Sequence, residues 1–144
     1  MRLHTSAIAI LLAALVQYSH AQGQNELLGI SPTVLSLAKA GVSQDLIVNL
    51  DATNAVFRLK ERSQAGNQGF PTQEDVEALA REFSQMKKSL FPDGKLGRNR
   101  IVKDFSHLPT VLVEVPDLES LVLLVKQPQV KSVHENQSFR PPGA

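Results

Sequence analysis

Between Thr110 and Pro128 the apolar period of the chain changes, and that change limits what the chain can fold into. In "TVLVEV", Thr110–Val115, the valines at 111, 113 and 115 share one face, the pattern of a strand buried on one side. Asp117 then stands as N-cap to "LESLVLLVK", where Leu118, Leu121, Val122 and Val125 form a helical stripe that Pro128 ends. A half-buried strand passed directly to a short apolar-faced helix calls for a layered fold, sheet against helix.

The same reading extends in both directions. "NRIVKDF" is a strand-like run separated from "TVLVEV" by "SHLP", short enough for an antiparallel hairpin. Upstream, Thr72 with Asp75 three residues on is a capping-box start. From there Val76, Leu79, Ala80, Phe83, Met86 and Leu90 recur at helical spacing until "FPDGKLG" breaks the pattern. "DLIVNLDA" supplies a β-branched run, Leu46–Leu50, and "QVKSVHE" a last short strand, although Val130 and Val133 are three apart and do not alternate cleanly. Residues 51–71 are a long connection, "TNAVFRLKERS" compatible with helix and "QAGNQGFP" rich in turn formers. In the lead-in, Ser31 is a candidate N-cap before Pro32, and Gly41 a stop, for one short helix. The order β-α-β-β-α-β predicts an α+β, ferredoxin-like fold: a four-stranded antiparallel sheet with two helices on one face and the other face free.

The N-terminus reads as an export signal. Arg2 gives a positive start, Ala7–Val16 is unbroken apolar sequence, and Ser19-His20-Ala21 places small residues where a signal peptidase reads them. That run is about half of the roughly 20 residues a membrane span needs. Cleavage near Ala21 leaves 144 − 21 = 123 residues, one domain's worth, in an extracellular or periplasmic setting. The expected organisation is a signal peptide over 1–21, a lead-in over 22–44, a domain over 45–136 and an extended tail over 137–144.

Composition narrows the chemistry. Arg2 is the one charged side chain of the signal, so the mature chain balances 14 basic against 14 acidic groups, which argues against a nucleic-acid partner. There is no cysteine, so thiol catalysis and cysteine-ligated zinc are excluded, and stability must come from packing or from a partner. His107 and His134 have no metal-site spacing, Ser106-His107 is adjacent in a manner that does not make a triad, and no Gly-rich phosphate loop is present. No cofactor, metal site or enzymatic activity is expected. "RLKERS" reads as a solvated helix face, since Glu61 interrupts its cations, and Asn136-Gln137-Ser138 fits the N-glycosylation pattern.

"DFSHLPTVLVEV" followed by "LESLVLLVKQPQVKSVHEN" resembles the N-terminal propeptide of secreted subtilisin-like serine proteases, the subtilisin propeptide-like inhibitor family. There, a strand ending near an "-LP-" turn leads to a valine-rich strand, a short Leu-rich helix and a closing strand of the form V-x-x-V-x-x-(Asp/Asn), here Val130 to Asn136. The likeness covers about residues 45–142; its motifs are short and apolar, and their order carries it. It implies a domain, monomeric when free, that lays its open sheet face on two surface helices of the protease and runs its tail through the substrate cleft as a retained product. It implies no membrane partner.

Carried onto this sequence, the resemblance makes Gln137, Ser138, Phe139, Arg140, Pro141 and Pro142 the cleft-binding tail, with Phe139 in the fourth substrate-side pocket, Pro141 beside the primary pocket and Pro142 in it. Proline suits that last position poorly, so a slid register that brings Gly143 or Ala144 into the cleft stays open. Glu135 and Asn136 fall where family members cap protease helix N-termini. His134 departs from the acid common there, which weakens such a contact and adds a wrong-signed charge at low pH. The expected function is inhibition, or assisted folding in trans, of a subtilisin-like protease. The alternatives are an orphan zymogen propeptide without inhibitory activity and a secreted ferredoxin-like module with an unrelated partner.

Overall fold

A computed structural model of the chain describes residues 29–65 and 70–137. The expected signal peptide and the tail beyond Gln137 lie outside the described residues. The fold is α+β. Helix α1 is Pro32–Lys39, strand β1 Gln44–Leu50, α2 Thr53–Ala65, α3 Gln73–Leu90, β2 Lys95–Leu96, β3 Asn99–Phe105, β4 Thr110–Val115, α4 Leu118–Val125 and β5 Val130–Glu135. All strand pairs are antiparallel, in the order β2-β3-β4-β1-β5.

Local chemistry sets the helix ends. Pro32 opens α1. The helix closes in a Schellman motif: Gly41, at φ +70°, donates to the Ala38 carbonyl, and Val42 donates to that of Leu37. Thr72 and Asp75 form the reciprocal capping box of α3, and the Asp117 carboxylate accepts from the Ser120 N–H at the start of α4. Those backbone donors hold the Asp75 and Asp117 carboxyls below the usual aspartate value.

One sheet face forms the core. Leu46, Val48 and Leu50 of β1 alternate inward beside Val111, Val113 and Val115 of β4 and Val133 of β5. Val34 and Ala38 of α1, Leu90 and Phe91 at the end of α3, and Leu121 and Leu124 of α4 cover them. Helix α2 packs elsewhere: Ala52 and Ala55 meet Phe83 of α3 in a second, smaller cluster. Asn99 is fully buried and ties β3 to α4 through a 2.8 Å bond from its amide nitrogen to the Ser120 carbonyl.

Against the four strands and two helices expected from the sequence, the sheet has five strands and the described residues four helices. The additional strand is β2, two residues long, folded onto β3 by a turn in which Gly97 sits at φ +59°. The positive φ favours glycine there; a Cβ would also come within 2.7 Å of the Leu123 Cδ2, the end of a partly exposed side chain that can move aside. The additional helices are α1 and α2, the two segments whose sequences permit helix. A bulge explains the awkward spacing in β5: the register slips between Asn49 and Leu50, so Val130 and Val133 are three apart yet each meets a β1 partner. A second bulge between Ile101 and Lys103 leaves Val102 unpaired and half exposed.

Lys87 is the charge inside this fold. Its side chain is 3% exposed, while its partner Asp104, with Oδ1 2.5 Å from Nζ, is 51% exposed. Nζ also donates to the Phe105 carbonyl at 2.7 Å, fastening α3 to β3. Removing the partner strands the buried charge, whereas replacing the lysine by an apolar chain of similar length does not. Asp104→Ala is therefore expected to cost about 2 kcal/mol, a loss of roughly 10 °C in thermal midpoint. Lys87→Met should stay within about 1 kcal/mol of the native chain. Thermal unfolding of both variants checks the pair; equal losses would contradict this account of the ion pair.

Candidate functional site

The face of the sheet opposite the core is the surface of interest. Strand alternation and register place Ile47 of β1 opposite both Leu112 of β4 and His134 of β5, and Asn49 opposite Thr110 and Ser132. Ile47 and Leu112 are half-buried, giving the face an apolar centre, and His134 is exposed. No helix among the described residues contributes to a core on this side.

Polar groups border the apolar centre, and most of them are paired with one another. On one side Thr110 Oγ1 donates to Asn49 Oδ1 at 2.8 Å, Asn49 Nδ2 donates to Ser132 Oγ at 3.1 Å, and Ser132 Oγ lies 2.9 Å from His134 Nε2. Ser132 Oγ accepts from Asn49 and has both a proton and a second lone pair to offer His134 Nε2, so the contact suits either tautomer of the imidazole. On the other side Arg100 donates to Glu114 Oε2 through Nε at 3.1 Å and Nη2 at 2.6 Å. Lys103 Nζ lies 5.2 Å from the centroid of the Phe105 ring. A surface with an apolar middle and a largely paired polar border suits a partner that brings a cation to Asp45, which lies opposite Glu114 on this face.

β5 is an edge strand of the sheet and ends beside this face. Beyond it Asn136 and Gln137 are exposed. Of the residues expected in the site, the structure brings Glu135, Asn136 and Gln137 to one corner; Ser138, Phe139, Arg140, Pro141 and Pro142 lie outside the described residues, as does the last residue of the Asn136-Gln137-Ser138 pattern. His107 sits in the turn between β3 and β4.

Glu135 is engaged within the chain. It pairs across from Leu46, so its side chain lies on the helix-covered side, while His134 faces the open side. One carboxylate oxygen accepts from the Ser31 hydroxyl and the other from Gln137 Nε2 at 3.3 Å. These two bonds, that of Ser31 first, hold the Glu135 carboxyl below the usual glutamate value. Between the start of α1 and the end of β5 lies a cleft of about 650 Å³, lined by Gly29, Ile30, Ser31, Ile47, Val133, His134, Glu135 and Gln137. Ser31 is indeed the N-cap residue of α1, but it makes no side-chain cap.

Two features of this surface go beyond the residues the sequence singles out. The Thr110-Asn49-Ser132-His134 ladder spans three strands and is set by register. At the same end of the sheet, α2 raises a wall: Val56 and Phe57 are exposed and, with Asn49, Pro109 and Ser132, line an apolar groove of about 570 Å³. Exposed apolar residues just after a strand were the available signal for it. Among the described residues no group of three His, Cys, Asp or Glu side chains is placed to hold a metal, and no helix is long and apolar enough to cross a membrane. No family model, curated protein or solved structure matches the chain.

Proposed function

We propose that this chain is a secreted inhibitor, or a folding helper acting in trans, of a subtilisin-like serine protease. The observation that carries the reading is the asymmetry of the sheet: helices cover one face, the other presents the Ile47–Leu112 patch, and the C-terminal strand leaves from the edge beside it. With the two-residue β2 set aside, the order β3-β4-β1-β5 fits a ferredoxin-like arrangement, which supports the likeness to protease propeptides.

In this reading the open face seats on surface helices of the protease and Asn136 meets a helix N-terminus there. Residues Gln137 to Pro142 lie extended in the substrate cleft, where main-chain hydrogen bonds give affinity and Phe139 fills an apolar pocket. Pro141 and Pro142 restrain the free tail and lower the entropy lost on docking. The chain contributes no catalytic step, needs no cofactor, and stabilises the protease by binding its folded state alone.

A second reading has one observation in its favour. The Val56–Phe57 groove is apolar and lies away from the tail corner, as a ferredoxin-like module with an unrelated partner would have it. Titration of a panel of subtilisin-like proteases with the chain from Gln22 to Ala144 decides between them. Nanomolar inhibition, competitive with peptide substrate, is the expected result. A folded chain that inhibits none of the panel would leave either the unrelated partner or an inactive orphan propeptide.

A further inference from the structure

Ser31 and Glu135 are 104 residues apart in sequence and joined by a hydrogen bond at the corner where the chain leaves the sheet. The serine gives up a common use of its position. A serine at an N-cap ordinarily accepts from the second or third N–H of its helix; this one makes no such bond. Pro32 removes one of the orphan donors that a cap would have satisfied. The carboxylate is also favourably placed at the N-terminal end of α1, where the helix dipole attracts negative charge.

The support under Ser31 is rigid. Val34 and Ala38 anchor α1 in the core at 1% exposure each, and Gln44 Nε2 donates to the Val34 carbonyl at 3.0 Å. On the other side, Val133 of β5 is buried two residues before Glu135, and Gln137 Nε2 returns to the free oxygen of the Glu135 carboxylate. Elements anchored in one core cluster therefore hold the last residue of β5, and the chain leaves the sheet from there.

We propose that Ser31 and Glu135 form a positioning latch by which the lead-in helix α1 fixes the exit direction of the C-terminal tail. The inference rests on the tail-directed inhibition described above and deepens it. Glu135 then acts through the tail, not by touching the protease: its carboxylate lies on the helix-covered side, and each oxygen already accepts a bond from within the chain. Asn136 is left as the one residue of the pair free to meet a helix N-terminus. The latch also gives the lead-in a function, since a tail already aimed along the cleft loses less freedom on docking.

Two measurements on the chain from Gln22 to Ala144 test this. The first is 15N relaxation of the Asn136 and Gln137 amides in the free protein; the second is the inhibition constant against the most strongly inhibited protease of the panel. In Ser31→Ala both amides should gain fast motion and the inhibition constant should rise about tenfold, roughly the cost of fixing one more backbone residue on docking. The thermal midpoint should barely move. Glu135→Gln keeps an acceptor for Ser31 and should recover most of the affinity; Glu135→Ala should match Ser31→Ala, and the double variant should be no worse than either single one.

Unchanged amide motion in Ser31→Ala would overturn the latch. Altered motion with unchanged inhibition, or inhibition that falls only in step with the thermal midpoint, would overturn its positioning role. If the native chain itself inhibits no protease, the inhibitor reading has failed and the positioning role falls with it, while the amide measurement still reports separately whether the latch exists.

Discussion

Ending the chain at Asn136 is expected to raise the inhibition constant by at least about a thousandfold. The eight residues removed, Gln137–Ala144, include Phe139 and both terminal-segment prolines. An extended segment docked as an added strand makes several main-chain hydrogen bonds, each worth about 1 kcal/mol net, and burying Phe139 adds about 2 kcal/mol. The total, a little over 4 kcal/mol, is a factor of about 1,000 in affinity. Folding should be nearly untouched, because Val133 is the last core residue and Ser31 still holds Glu135. Phe139→Ala in the full chain should fall between the two, at roughly 10- to 30-fold. A shortened chain that inhibits as well as the full one would remove the tail from the mechanism.

The tail experiment also separates readings that share one fold. An orphan propeptide without activity is inert with or without residues 137–144. A module with an unrelated partner binds that partner equally in both versions. Only the cleft-directed inhibitor loses its activity with the tail, and the loss should appear mainly as faster dissociation, since the tail's contacts form after encounter.

The elements legible in the sequence are those whose signals are local. Thr72 with Asp75, Asp117, and the Pro32 and Gly41 pair each mark a helix end within four residues, and the Val111-Val113-Val115 alternation marks β4 without ambiguity. Helix α2 was legible only as permitted, because it buries Ala55 and Ser63 and shows no apolar stripe. β2 is too short to have a period. Val76 belongs to the apolar stripe of α3 by spacing but is 44% exposed: the helix, about 27 Å long, reaches past the core, and its buried residues, Phe83, Lys87 and Leu90, all lie in the C-terminal half. Lys87, four residues after Phe83, lies on the buried face where spacing alone calls for an apolar residue; its partners are on β3. Much of the candidate site was illegible for the same reason. Asn49, Thr110 and Ser132 meet through strand register, and nothing in their local sequence sets them apart; Ser31 and Glu135 each stand out in the sequence, but their meeting across 104 residues does not.

Leu112→Asp, with the tail intact, should weaken inhibition by about a hundredfold while costing little stability. Leu112 sits across from Ile47 in the apolar centre of the open face and is only half-buried, so a carboxylate there stays hydrated in the free domain. Once a partner covers the face, that carboxylate loses water, and the cation nearest to it in register is Lys103, directly across from residue 112, with Arg100 committed to Glu114. Desolvation exceeds what one such cross-strand pair returns, and about 3 kcal/mol left uncompensated gives the expected factor. Leu112→Ala removes apolar area without adding charge and should cost about tenfold or less. If Leu112→Asp leaves inhibition unchanged while removal of the tail abolishes it, the chain binds as an extended peptide alone and the sheet serves only as its mount. If the tail proves dispensable and Leu112→Asp abolishes binding, the open face is the binding element and the partner need not be a protease. Loss in both variants is the result a two-part interface demands, because the face sets where the domain sits and the tail then enters the cleft at high local concentration.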